Sequence, residues 1–458
     1  MNMTAVLNEC FDGAQIRRDA QALEVYGQDW TRLREPAPSA VVFPKTNEEV
    51  QRLVRLARRE DLKLVPSGGR TGLSGGAVAA QGEIVVSFEK MNQILGFNGN
   101  DRLLHCQAGV VTQVLQDYAQ EQGLYYPVDF ASAGSSCIGG NIATNAGGIK
   151  VIRYGLTRDW VAGLTVVTGT GELLSLNHGL VKNATGYDLR HLFVGSEGTL
   201  GMIVEAQVRL TKAPLPQQVM VLGVPKVTDL LAVLSAFQDQ LTLSAFEFFS
   251  QLCLDKVIAH RDLPAPLAEP AAFYALLEYD ETASEQALAV FEALLGKGLI
   301  TDGVLSQSQA QAAALWALRE GISEAIAPDL PYKNDLAVCI SEVPEFLAEI
   351  DSLVARGYPD FEVCWYGHIG DGNLHLNILK PAGLNKQEFF ERCHEMSPKL
   401  FAAVAQRHGS ISAEHGVGLL KQPFLGYSRS TAEIELMRQL KAVFDPDQVL
   451  NPGKLLPS

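Results

Sequence analysis

The residues best suited to chemistry lie in one stretch, Trp365-Tyr366-Gly367-His368-Ile369-Gly370-Asp371-Gly372-Asn373-Leu374-His375-Leu376-Asn377-Ile378. Gly-Asp-Gly-Asn is turn chemistry. His368 therefore ends one extended segment and His375 lies in the next, where the two-residue period puts His375 and Asn377 on one face. Further on, Ser412-Ala413-Glu414-His415-Gly416-Val417-Gly418 sets a carboxylate beside another imidazole in a glycine-rich loop. His368, His375 and Glu414 form a ligand set suited to Zn(II) or Mn(II) with open positions. His-x6-His without a cysteine or an HExxH frame is a weak signal, and an ordinary pair of core histidines fits it as well. His105, His178, His191, His260, His394 and His408 lack such company and read as core or surface residues.

In Leu315-Trp316-Ala317-Leu318-Arg319-Glu320-Gly321-Ile322-Ser323, Arg319 and Ser323 are i and i+4 and share a helix face, and Lys333 follows the Pro328 to Pro331 break. An arginine fork and a lysine point charge are what carboxylate recognition needs. Spacing alone favours the blander alternative, a solvated face with Arg319 paired to Glu320 or Glu324.

Ser67-Gly68-Gly69-Arg70-Thr71-Gly72-Leu73-Ser74-Gly75-Gly76 holds five glycines in ten residues, and the element after it, Ile84 to Phe88, is a strand. A Rossmann fingerprint and a Walker A loop both lead into a helix, and the latter needs Gly-Lys-Ser/Thr, so both fail. Backbone N–H groups in such a loop can still form a nest for an anion such as a pyrophosphate. A second small-residue tract runs from Ala133 to Gly148, and Gly195-Ser196-Glu197-Gly198-Thr199-Leu200-Gly201 leads into a strand from Met202 to Leu210. Two such tracts suggest a common ligand.

These groups need elements to hold them. Ala40 to Phe43 reads as a strand closed by Pro44, and Thr46-Asn47-Glu48-Glu49 as a capping box. Val50, Leu53, Val54 and Ala57 then give a helix one apolar face before Leu62 to Val65 returns to extended chain, a β-α-β unit. Val166 to Leu174 reads as a hairpin, and a domain boundary falls near Pro214 to Pro216. Beyond it, strands Val219 to Val224 and Phe273 to Glu278 alternate with helices Val227 to Phe237, Ser284 to Leu295 and Gln309 to Ile326, which predicts an α+β layer with an antiparallel sheet.

The 458 residues favour two or three domains with a large core. Lys plus Arg is 37 against 52 Asp plus Glu, a net charge of -15 that repels phosphate backbones and excludes nucleic acid as an expected partner. The seven cysteines are odd in number and never form C-x-x-C, which fits reduced thiols. The first residues lack a basic n-region and an apolar h-region, and no stretch reaches the ~18 apolar residues of a membrane span. The expected location is cytoplasmic.

Taken in order, PSGGRTGLSGGA, AGSSCIGGNIATNAGG, GSEGTLG, GHIGDGNLHLN, AEHGVG and Asn451-Pro452-Gly453-Lys454 resemble flavoproteins of the vanillyl-alcohol oxidase/p-cresol methylhydroxylase type over nearly the whole chain. Within that superfamily the chain is similar to the branch oxidising D-2-hydroxy acids. WALREGISEA followed by YKNDLAV implies D-2-hydroxyglutarate as substrate and 2-oxoglutarate as product.

The resemblance implies a two-subdomain FAD-binding domain at 36–214, an α+β substrate and metal domain at 215–420, an N-terminal helical segment at 1–35, and a C-terminal segment at 421–458 returning to the FAD site. It implies FAD on Pro66, Ser67, Gly68, Gly69, Arg70, Thr71, Gly72, Gly75 and Gly76 of the first tract. The second tract supplies Ala133, Gly134, Ser135, Gly139, Gly140, Asn141, Thr144, Asn145, Gly147 and Gly148; Glu197, Gly198, Gly201, Ile203 and Asn451 complete the set. Members that attach flavin covalently use a histidine in the first glycine loop; this sequence has Arg70, which implies non-covalent FAD.

A divalent metal, zinc first, is implied on His368, His375 and Glu414. Substrate is implied on Arg319, Ser323, Lys333, Asn377 and His415, with His415 as the base; Ser323 replaces a threonine of close relatives and keeps the hydroxyl. A metal on the hydroxyl and C1 carboxylate lowers the alcohol pKa while hydride leaves C2 for the flavin. The electron acceptor stays open between an electron-transfer flavoprotein, a quinone and a dye, and so does the assembly, a homodimer included. The rival readings are a D-lactate or glycolate dehydrogenase or oxidase, a non-redox ether-lipid synthase, and a non-catalytic flavin-binding subunit of a complex.

Overall fold

The helix expected after Thr46 forms as Asn47–Arg59. It buries Val50, Leu53, Val54, Leu56 and Ala57, with Glu48 and Glu49 in its first turn and Arg58 and Arg59 in its last, the arrangement its dipole favours. The Thr46 hydroxyl accepts from Glu49 N at 3.3 Å, but the Glu49 carboxylate returns to Lys45 N and Gln15 Nε2 rather than to Thr46, so only half of the expected capping box closes. The helix joins strands Ala40–Val42 and Leu64–Ser67, which are not neighbours: Ile84–Ser87 lies between them, parallel to both. A short antiparallel strand, Ile16–Arg17, adds to the edge at Ala40–Val42. The N-terminal stretch read as helical thus alternates helices Met3–Leu7 and Ala20–Tyr26 with a strand.

The computed structural model describes residues 3–32 and 34–457. It divides into two compact units. The first comprises the described residues of 1–147, 156–213 and 414–458. Beside the four-stranded sheet it carries an antiparallel five-stranded one in the order Ile94–Asn98, Leu103–Gln107, Gly201–Arg209, Val161–Thr168, Leu173–Leu176. One core joins the two sheets, with Val42, Leu64 and Val86 from the first and Leu104, Val166 and Val204 from the second.

The second unit comprises residues 148–155 and 214–413. Its seven strands run Asp302–Leu305, Gln217–Val224, Phe273–Asp280, Leu243–Ser250, Val363–Gly367, Asn373–Ile378, Tyr332–Ala337, all antiparallel as the alternating pattern predicts. Residues paired across antiparallel strands share a face. Glu247, Phe249, Tyr366, His375, Asn377, Asp335 and Lys333 therefore all project from the same side. Along much of its width that side is covered by an apolar layer that includes Leu254, Leu315, Trp316 and Ile322. The helix read as Gln309 to Ile326 is two, Gln309–Glu320 and Ile322–Ala325, with Gly321 between them. A side chain there would lie 2.8 Å from the Ala317 carbonyl and 3.0 Å from Arg261 Nε. Among the described residues no helix is long and apolar enough to cross a membrane, and all seven cysteines are free.

Candidate active site

In the first unit the glycine tracts meet. A Cβ on Gly69 would fall 2.0 Å from the Ser135 carbonyl oxygen, and one on Gly68 3.2 Å from the Cys137 side chain, so the two backbones approach closer than other residues allow. Asn451 ties in the remaining segments, its Nδ2 donating to Gly76 O at 3.0 Å and Glu197 O at 2.7 Å. Together they wall a cavity enclosing about 920 Å³ of atom-free space, part of it open to solvent.

Its lining takes in 66–72, 74, 76 and 77 of the first tract, 137, 139–141, 143 and 144 of the second, Glu197, Gly198, 201–203 and Asn451. Gly75, Ala133, Gly134, Ser135, Asn145 and Gly147 do not line it, and Gly148 belongs to the second unit. Phe88 and Ala108, which no motif marks, do line it.

Three non-glycine residues of the wall, Arg70, Glu197 and Asn451, have φ of 60°, 51° and 42°. The left-handed region is costly for them, and such strain concentrates where a ligand is held. Arg70 lays its guanidinium 4.4 Å over the Tyr26 ring. Ser67 Oγ and Asn451 Oδ1 are buried in the wall without a hydrogen-bond partner among the described residues. A bound molecule with matching polar groups satisfies them, and the glycine backbone and polar groups of the wall suit a dinucleotide in their chemistry.

Glu197 has a second task. Its carboxylate accepts from Val417 N at 2.7 Å and Gly418 N at 2.8 Å, clamping the loop that carries Glu414 and His415. Burial pushes its pKa up, and these two N–H groups oppose the shift. Gly418, at φ 50°, comes so near the Ser74 carbonyl that a Cβ would sit 2.1 Å away. Glu414 Oε1 lies 3.4 Å from His415 Nε2 on this loop.

In the second unit the turn between Val363–Gly367 and Asn373–Ile378 brings His368 and His375 together, ring centroids 5.4 Å apart and nearly perpendicular. Both are buried. His375 Nδ1 lies 3.7 Å from Asp335 Oδ1, and His368 Nδ1 contacts Glu247 Oε1 at 2.8 Å. Arg319 does not pair with Glu320 or Glu324: its Nη2 reaches Glu247 Oε2 at 2.7 Å, and its guanidinium lies 4.8 Å over Tyr366. Ser323, on the following short helix, instead accepts from Lys333 Nζ at 2.9 Å. Lys333 keeps an exposed surface, yet the protein packed about its ammonium pulls its pKa below the usual lysine value. Among the described residues, Arg319 Nε and Asn377 Nδ2 are buried donors with no protein acceptor.

Glu247 was invisible to motif reading, although a lone carboxylate inside the apolar run Leu-Ser-Ala-Phe-Glu-Phe-Phe is itself a signal, since a buried charge needs partners.

Residues 38–177 match the FAD binding domain family, and residues 213–455 match the family described as FAD linked oxidases, C-terminal domain. The second match alone covers more than half of the chain. The chain belongs to the FAD-linked oxidases. Among its relatives is the D-2-hydroxyglutarate dehydrogenase of Stutzerimonas stutzeri (strain A1501), 58% identical over 98% of this chain and 97% of that protein. The mitochondrial D-2-hydroxyglutarate dehydrogenase of Rattus norvegicus is 38% identical over 98% of this chain and 84% of its own length. The fold is shared with p-cresol methylhydroxylase, TM-score 0.76 at 16% identity over 98% of this chain and 95% of that one. An alkyldihydroxyacetonephosphate synthase shares it too, TM-score 0.75 at 19% identity over 98% of this chain and 85% of that one. This FAD-linked oxidase thus has the fold that its motifs indicate, and it is an FAD-dependent dehydrogenase.

Proposed function

We propose that the chain oxidises D-2-hydroxyglutarate to 2-oxoglutarate, using FAD held non-covalently in the first unit and a divalent cation on His368, His375 and Glu414. The observation that carries the substrate assignment is the pair of buried donors without acceptors, Arg319 Nε and Asn377 Nδ2, with Lys333 opposite Asn377 across the strand pair. A dicarboxylate offers acceptors to such donors.

Bound FAD supplies the hydride acceptor for C2. The cation supplies positive charge that lowers the pKa of the substrate hydroxyl. Arg319, Lys333 and the Ser323 hydroxyl bind the distal carboxylate, while Asn377 donates to substrate from beside His375. His415 takes the hydroxyl proton as general base. Non-covalent flavin is supported by Arg70, whose cationic guanidinium is not the nucleophile that a covalent link requires. The seven free thiols support a reducing, cytoplasmic setting. Electrons pass on to an electron-transfer flavoprotein or a quinone, to be told apart by supplying each acceptor in turn.

The test is anaerobic bleaching of the purified flavoprotein. D-2-hydroxyglutarate should reduce the flavin faster than D-lactate, and the L-enantiomer should leave it oxidised. Equal rates with lactate point to a monocarboxylate dehydrogenase. No reduction by any hydroxy acid makes the chain a flavin-binding subunit without this activity.

A further inference from the structure

Glu247 lies at the middle of strand Leu243–Ser250 with 1% of its surface exposed, and nothing in the proposed function uses it. One carboxylate oxygen meets His368 Nδ1 at 2.8 Å, and the other meets Arg319 Nη2 at 2.7 Å. The strand needs no charge here for stability, because well-packed apolar residues commonly serve a fold as well as a buried ion pair does. We infer that Glu247 is a positioning residue: from one buried carboxylate it orients both the cation ligand His368 and the substrate-binding Arg319. The inference rests on the function proposed above.

A carboxylate only accepts hydrogen bonds, so the imidazole proton shared with Glu247 sits on Nδ1. Nε2 is then the lone-pair nitrogen, the form in which an imidazole ligates a cation. A carboxylate behind a ligating histidine also raises its basicity. The other oxygen holds the guanidinium, which lies 4.8 Å over Tyr366, whose ring is 5.0 Å from that of His375. Glu247 thus fixes the placement of the residue assigned to the distal carboxylate relative to a residue assigned to the cation.

The experiment compares the FAD-loaded wild-type protein with E247Q, each stripped of cation by chelation and then titrated with Co(II). E247Q should bind Co(II) about 10 to 100-fold more weakly. Its KM for D-2-hydroxyglutarate should rise about tenfold, as for one weakened charge-assisted contact, while its flavin content and spectrum stay at the wild-type level. E247Q binding Co(II) as tightly as the wild type overturns the inference and leaves the proposed function standing. A wild-type protein that binds no divalent cation overturns both. Should E247Q not accumulate folded, the tautomer decides the matter in the wild type: ¹⁵N-histidine spectra, with His368 assigned through H368Q, should show the proton on Nδ1. A proton on Nε2 overturns the inference.

Discussion

Substitutions at Arg319 and Lys333 remove two similar charges but should behave differently. Arg319→Ala strands the buried Glu247 carboxylate, and breaking a buried pair from one side typically costs about 3–5 kcal/mol, so loss of fold and loss of substrate affinity arrive together. Lys333 contacts Ser323 on a more open surface and is the cleaner probe. Lys333→Ala should lower kcat/KM for D-2-hydroxyglutarate about 10 to 150-fold, for a charge-assisted contact worth ~1.5–3 kcal/mol. Activity on D-lactate, which has no distal carboxylate, should change much less; equal losses on both substrates would mean that Lys333 supports the fold or the flavin site. Because desolvation lowers the Lys333 pKa, its charge is lost at a lower pH than in a free lysine. KM for the dicarboxylate should accordingly climb on the alkaline side before pH reaches ~10.4, with D-lactate as the flat control. His415→Ala should cut kcat roughly 100-fold or more while FAD stays bound, as for a lost general base. Chelation should likewise abolish turnover without releasing flavin, and elemental analysis finding no metal in an active preparation would refute the cation.

Among the elements, the glycine tracts matter for how near their backbones come. Gly69→Ala drives a methyl group onto the Ser135 carbonyl, and overpacking of this kind costs about 1–3 kcal/mol or more. The variant should be isolated with substoichiometric FAD and a lowered Tm; full flavin occupancy would show that the tracts can part without harm. These tracts were legible in the sequence because glycine density is a local signal. So was the antiparallel sheet of the second unit, because strand and helix periods are local too. Partners far apart in sequence were not legible. Glu247 and His368 are separated by 121 residues, and only the register of the seven-stranded sheet shows that they meet. The break at Gly321 within Gln309–Ile326 is not legible, because the apolar spacing continues past it and the tight packing at that glycine is tertiary. The motif around Glu197 points to the flavin site, but the grip of Glu197 on Val417 and Gly418 spans 220 and 221 residues and leaves no trace in either motif.

The whole molecule bears a cost at Lys454. The residue is 3% exposed, and desolvation pulls its pKa down to about 8, with Arg34 adding to the shift and Glu83 opposing it. Below about pH 8 the folded and unfolded forms are both charged and the fold bears the full burial penalty. Between 8 and the ordinary lysine value the unfolded chain holds more protons, so the penalty fades as pH rises. A shift of this size corresponds to roughly 3 kcal/mol. Lys454→Met should therefore raise Tm at pH 7 and lose that advantage near pH 10; an equal gain at both values would mean that the buried charge is not its source. The same region also constrains how the protein is made. Asn451 closes onto Gly76, 375 residues earlier, and Leu450 pairs beside Leu64. At ribosomal speeds of about 5–20 residues per second, roughly 20–75 s separate the synthesis of the first glycine tract from that of the asparagine that pins it. Nearly all of the second unit emerges in that interval, as the continuous run 214–413. The nascent chain thus carries an unfinished cofactor cradle until Asn451 has been made, so flavin capture belongs after that point, and a chain stalled before Asn451 should be isolated without its yellow colour.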